Sequence, residues 1–159
     1  MKAQFIDKFN EYISLLPQEL KEVFDKLKDT PQREDYHKEG SAYEHIKLVF
    51  YEALKTNDIN LIIAALFHDL GKAATTKIGP KGFPISYGHE FVSAKYVKKY
   101  EQWIKDMGAD PELIYYIVLN HMRLHVFPQM RKPKQQAMMS HPDFKKLKEF
   151  GVLDHEGRG

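Results

Sequence analysis

The sequence contains no cysteine. That absence excludes disulfides, thiolate zinc sites, cysteine-held iron–sulfur clusters and a cysteine nucleophile. Any metal must be held by histidine nitrogen and carboxylate oxygen, a donor set that suits iron, manganese, cobalt, nickel or zinc. Long apolar runs are missing as well. The longest, Leu61 to Phe67, falls far short of the ~20 residues a bilayer crossing needs. The opening MKAQFIDKFNEY carries acids early and has no signal-peptide apolar core, so a cytoplasmic location is expected. Net charge is only +2 over 159 residues with histidines neutral. That is too weak to draw long nucleic acid by bulk electrostatics, but it does not oppose a small anionic substrate.

What is present reads as an all-α chain. The length fits a single domain with its own core. Phe5, Ile6, Phe9, Ile13 and Leu16 recur at helical spacing, and Pro17 fits the first turn of a second helix ending near Lys28. A polar stretch, Asp29 to Gly40, reads as a loop. Ser41 and Glu44 make a capping box for a helix with Ile46, Val49, Phe50, Ala53 and Leu54 on one face. Asp58 caps the next helix, whose body Leu61–Phe67 is apolar all round and therefore belongs at the centre. Gly71 is placed to stop it. Residues 73–87, with Gly79, Pro80, Gly82 and Pro84, read as a loop with no strand pattern. One long helix is expected from His89 to Met107, and another opens at Asp110-Pro111. Pro128 and Pro133 mark a second loop. A last helix from Asp143 to Phe150 leads into Gly151-Val152-Leu153-Asp154.

His68-Asp69 is the strongest chemical signal. Both polar groups sit at the end of the most apolar helix, where an ionised carboxylate without a partner is costly. A cation removes that cost, and the partial negative charge of a helix C-terminus favours it. On the pair alone, a satisfied core histidine beside a C-terminal aspartate accounts for the residues as well. His45, His89 and His121 fall beside apolar faces of three further helices. One such histidine is more often structural, but four near a buried acid are harder to explain that way. Asp154 follows Val152 and Leu153, which draw it toward the core, though taken alone it would be a surface residue.

The order of these residues and the wording around them resemble the HD superfamily of metal-dependent phosphohydrolases. YHKEGSAYEHIKLV (36–49) resembles the opening block and ALFHDLGK (65–72) the central motif. YGHEFVSA (87–94), LNHMRLH (119–125) and LDHEGRG (153–159) resemble the later blocks. The wording is nearest to HD domains of bacterial tRNA nucleotidyltransferases and small stand-alone relatives. The resemblance spans residues 36–159 and leaves 1–35 as an N-terminal helical pair packed on the core.

The resemblance implies a single HD-type helical bundle. His45, His68, Asp69 and Asp154 would hold a first divalent metal, and His89 and His121 a second, bridged by Asp69. Manganese, iron, cobalt, nickel, zinc and magnesium are the candidates. A metal-lowered water pKa of ~7 would supply hydroxide for phosphoester hydrolysis. Asp69 and Lys72 are the catalytic candidates, and Lys72, Arg123, His37 and His125 the candidate substrate contacts. His125, four residues after His121, would share its helix face only if the helix persists. Lys77 and Lys81 are weaker, because charged loop residues are usually just solvated. Phe83 and Tyr87 could stack on a base, although a loop aromatic more often anchors its loop. The expected substrate is a small nucleotide-like phosphoester: a nucleoside mono- or triphosphate or a 2′,3′-cyclic phosphate. The alternatives are a di-iron oxygenase on the same ligands, toward which Tyr36 and Glu39 point, and an inactive binding module.

Overall fold

The structure is a computed structural model that describes residues 3–35, 37 and 40–158. Tyr36 and Glu39 lie outside the described residues. Eleven helices are found among them. In chain order they are α1 (Ala3–Leu15), α2 (Gln18–Leu27), α3 (Ala42–Leu54), α4 (Ile59–Phe67) and α5 (Lys72–Thr75). These are followed by α6 (His89–Lys99), α7 (Glu101–Asp106), α8 (Pro111–Asn120), α9 (Arg123–Val126), α10 (Lys132–Met139) and α11 (Phe144–Glu156). Between α5 and α6, β1 (Lys77–Ile78) pairs antiparallel with β2 (Pro84–Ile85). The expected all-α class holds. No helix among the described residues is long and apolar enough to cross a membrane.

Helix α4 is the axis. Every side chain from Leu61 to Phe67 is buried, and α3, α6, α8 and α11 pack around it. A helix apolar on all faces gains by being enclosed, at ~1.5–3 kcal/mol for each large aliphatic side chain removed from water. Helices α1 and α2 lie against α3. There Phe9 meets Phe50 edge-on at 5.2 Å, and Tyr12 meets the same ring at 5.2 Å. Such T-shaped pairs place a positive ring edge on a negative ring face.

Caps set the starts of the central helices. The Ser41 hydroxyl accepts from Glu44 N at 3.3 Å, Asp58 from Asn60 N at 2.9 Å, and Asp110 from Glu112 N at 3.0 Å. Each satisfies a backbone donor that the first helical turn leaves open.

Four expectations are corrected. The 73–87 stretch folds into α5 and a short hairpin rather than plain loop. The helix expected over 89–107 breaks at Tyr100, with φ −110° and ψ 28°. Around that break, Tyr100 and Lys99 donate to Glu19, and Trp103 Nε1 donates to Leu15 O. Long-range bonds to the α1–α2 region thus override a locally helical sequence. Pro128 falls in a 3₁₀ turn (Phe127–Gln129), and Pro133 sits in the first turn of α10, where its missing N–H costs nothing. Finally, α11 runs through Gly151 to Glu156, so Asp154 is carried on a helix rather than a tail.

Candidate metal centre

Five helix ends converge on one buried cluster. His45 comes from the first turn of α3, His68 caps the C-terminus of α4, and Asp69 follows it. His89 opens α6, His121 caps the C-terminus of α8, and Asp154 lies in the last turns of α11. All six are buried. The C-termini of α4 and α8 both aim partial negative charge at the cluster.

The turn after α4 depends on a close approach. Gly71 has an ordinary helical φ of −63°, so it is not a left-handed stop. A Cβ on it would fall 2.1 Å from His89 O and 2.9 Å from Val92 Cβ. Its N–H donates to the buried Ser93 hydroxyl at 2.8 Å. Glycine here lets α6 lie against the turn, and that contact brings His89 to Asp69.

Each of the four histidines is locked by the backbone. Nδ1 lies 3.1 Å from Gly157 O in His45, 2.8 Å from Ala65 O in His68, 2.9 Å from Ser86 O in His89 and 2.6 Å from Val118 O in His121. A carbonyl only accepts, so Nδ1 carries the proton in all four. A neutral ring then presents its Nε2 lone pair to the cluster. His45 Nε2 and His68 Nε2 are 3.4 Å apart, and His89 Nε2 and His121 Nε2 are 3.2 Å apart. Facing lone pairs at that range, beside carboxylate oxygens, repel one another unless protons or a cation lie among them. The cluster therefore fits a divalent metal by its donors, its tautomers and its burial.

Asp69 divides the cluster in two. Its Oδ2 lies 3.2 Å from His68 Nε2 and 3.5 Å from His45 Nε2, while its Oδ1 lies 3.0 Å from His89 Nε2 and 3.4 Å from His121 Nε2. Two triads with metal-ligand spacing result, His45-His68-Asp69 and Asp69-His89-His121. Asp154 adds to the first, with Oδ1 2.8 Å from His45 Nε2 and 3.5 Å from His68 Nε2.

The carboxylates act most strongly on His68. Burial opposes a charge on His68, but the Asp69 and Asp154 carboxylates outweigh it and push the ring up to about 10. Burial also works against ionised Asp69, yet His68, Lys72 and the His121 hydrogen bond hold its carboxyl well below the usual range. Asp154 is held down in the same way, against burial, by His125, His45 and His68. Burial leads in lowering His121.

The cluster opens on a cavity of about 430 Å³. Lys72 reaches it with its side chain only 12% exposed and Nζ 3.3 Å from Asp69 Oδ2 and 2.6 Å from Gln32 Oε1. Gln32 is buried and aims the ammonium. His37 lies edge-on to His45 at 4.9 Å and lines the cavity. His125 also lines it, on α9 rather than on the helix of His121, with Nε2 3.8 Å from Asp154 Oδ2. Arg123 is placed differently. It is exposed, donates to Asn120 Oδ1 at 3.3 Å, and is not among the cavity's lining residues. The helix that carries His121 ends at Asn120, and Arg123 starts α9.

Arg158 supplies the second cation at the cavity. It donates from Nη2 to His125 Nδ1 at 3.2 Å, and its buried Nε has no partner among the described residues. The Gly-Arg pair after Asp154 was a usable signal for it. Gln32, Ser93 and Gly157 carried no comparable sign, because their roles exist only once distant helices meet.

A family profile described as HD domain matches residues 28–144. The chain belongs to the HD domain family. Within this HD domain, Asp154 lies beyond the profile's match, and α11 alone carries it to the site. The domain is also similar to parts of longer bacterial proteins, each described as a Multifunctional CCA protein. It is 40% identical to the one from Herminiimonas arsenicoxydans over 82 residues, 51% of this chain and 19% of that protein. It is 33% identical to the one from Burkholderia vietnamiensis (strain G4 / LMG 22486) over 107 residues, 67% of this chain and 25% of that protein. With the one from Actinobacillus pleuropneumoniae serotype 5b (strain L20), identity is 30% over 113 residues, 68% of this chain and 27% of that protein. The chain thus spans about a quarter or less of the length of these curated relatives.

Proposed function

We propose that this HD domain is a metal-dependent phosphohydrolase acting on a small, nucleotide-like phosphoester in the cytoplasm. One observation carries the reading. Two His/Asp triads share Asp69 at the floor of a cavity whose wall presents Lys72 and Arg158.

His45, His68, Asp69 and Asp154 would hold one divalent ion, and Asp69, His89 and His121 a second. When bound, such ions supply a water-derived nucleophile at neutral pH and offset charge on a phosphoryl group. The chain's own residues do the rest. Backbone carbonyls fix the four imidazoles so that no reorganisation is needed on loading. Lys72, aimed by Gln32, presents a point charge at the edge of the cluster. Arg158 has a desolvated N–H with no acceptor among the described residues, and a phosphate oxygen would satisfy it. His125, between Arg158 and Asp154, would contact the substrate from the same wall.

The test is product release from mono-, di- and triphosphates and 2′,3′-cyclic phosphates in manganese, cobalt, nickel or magnesium. Asp69→Ala is the control. Turnover that disappears in that variant supports the reading and names the substrate class. No turnover on any pair defeats it. Oxygen uptake by an iron-loaded sample would assign the centre to oxidation instead.

A further inference from the structure

The hydrolytic reading leaves part of the cleft without a role. A second recess of about 230 Å³ adjoins the metal cavity, and the two share His37, Lys72 and Met122. Ile85 at the end of β2, Tyr87 between β2 and α6, and Arg33 line it further out.

This recess differs in chemistry from the cavity beside it. The Arg33 charge is already compensated, because Nε donates to both Asp35 carboxylate oxygens, at 2.6 and 2.8 Å. Its guanidinium carbon lies over aromatic surface, 3.8 Å from the centre of the Phe83 ring. A second phosphate clamp is therefore not what Arg33 offers. Tyr87 is 79% exposed, more than any other large hydrophobic residue among those described. A ring left in water forgoes the burial that normally retains an aromatic in a fold. Met122, at the boundary of the two recesses, is also exposed, and its thioether suits contact with a ring.

We propose that this recess is a nucleobase subsite, in which a purine or pyrimidine ring stacks on Tyr87 while its phosphate lies beyond Lys72 in the metal cavity. The phosphate end of this assignment rests on the phosphohydrolase reading, but the base end does not. Stacking on an aromatic face tolerates any base, because each has a π-face. The subsite therefore selects nucleotides from other phosphoesters without choosing among the bases.

Two measurements test it. The first is methyl NMR of methionine-labelled, zinc-loaded protein titrated with adenosine, guanosine, cytidine and uridine, with ribose as control. Met122→Leu identifies the resonance. The Met122 methyl moves with all four nucleosides and not with ribose. Tyr87→Ala removes the shift, and Tyr87→Phe keeps it. The second is the ratio of kcat/KM for nucleoside 5′-monophosphates to that for ribose 5-phosphate. Tyr87→Ala lowers the ratio about tenfold, through KM, and Tyr87→Phe restores it. A Met122 resonance that no nucleoside moves overturns the subsite, whatever the protein hydrolyses. A ratio that Tyr87→Ala leaves unchanged overturns it too. Nucleoside shifts without turnover of any phosphoester would support the subsite and defeat the phosphohydrolase reading instead.

Discussion

His45 and Asp154 stand 109 residues apart in the chain, yet His45 Nε2 lies 2.8 Å from Asp154 Oδ1. The other ring nitrogen of His45 is held by Gly157 O. Both ends of one imidazole are thus set by the close of α11. A Cβ at Gly157 would fall 2.4 Å from Val49 Cγ2, so glycine there allows α11 to end against α3. The His45-His68-Asp69 triad gains Asp154 only when α11 has docked.

That dependence makes Asp154→Asn informative. The amide keeps the shape and removes the charge. Manganese affinity should fall by more than the ~10–100-fold typical of losing a partner outside the ligand set. Calorimetric titration reads it directly, and an unchanged affinity would remove Asp154 from the ligand set.

The division made by Asp69 predicts stoichiometry. Elemental analysis after metal loading should find two ions in the unaltered chain, one in His89→Ala and none in Asp69→Ala. Saturation should also raise thermal stability, since a ligand at a hundred times its Kd contributes ~2.7 kcal/mol. For a chain of this size that is a rise in Tm of roughly 5–11 °C. Asp69→Ala should show no rise. A full rise in that variant would mean the ions bind elsewhere.

How much of this could be read beforehand follows from where each signal resides. Ser41, Asp58 and Asp110 announced their helices because capping is chemistry within one turn. Leu61–Phe67 announced the core because no face of that helix is polar. His45, His68, Asp69, His89, His121 and Asp154 were legible as one constellation through the ordered blocks around them, and the fold brings all six together. The break at Tyr100 was hidden because its causes, Glu19 and Leu15, lie some 80 residues upstream. The start of α9 at Arg123 was hidden because a histidine at a helix end says nothing about the next turn. Gln32 was invisible for a related reason. A polar residue in a loop gains its role only from Lys72, which is 40 residues away.

Gly71 offers a sharper test of the turn than any ligand variant. Gly71→Ala keeps every donor atom but drives a methyl group into the His89 carbonyl. Overpacking against backbone costs more than against a movable side chain, so a loss of ~3 kcal/mol is expected, at the upper end of the usual range. Chemical denaturation should show it as a lower midpoint with an unchanged slope. The same displacement moves His89, so the variant should retain one ion of two. Unaltered stability and two ions would show that α6 does not rest on this turn.

Asp58 provides a pH-dependent check on how α4 is held, remote from the metal. Its carboxylate caps α4 through Asn60 N and pairs with Lys146 of α11. Partial burial opposes its charge, but the Lys146 hydrogen bond and the backbone N–H of Asn60 lower its pKa below the ordinary 3.8. A carboxyl lowered on folding stabilises fully above its unfolded pKa of about 3.9, and that contribution is lost as pH falls through the folded value. Asn also caps well, so Asp58→Asn should retain the cap and lose only the ion pair. The pair is partly exposed, so the expected cost at pH 7 is about 0.5–1 kcal/mol. The gap between the two proteins should stay constant down to about pH 5 and close below pH 4. Denaturation series at several pH values measure it. A gap that persists undiminished at pH 3 would assign the loss to the cap, and α4 would then be tied to α11 by apolar packing alone.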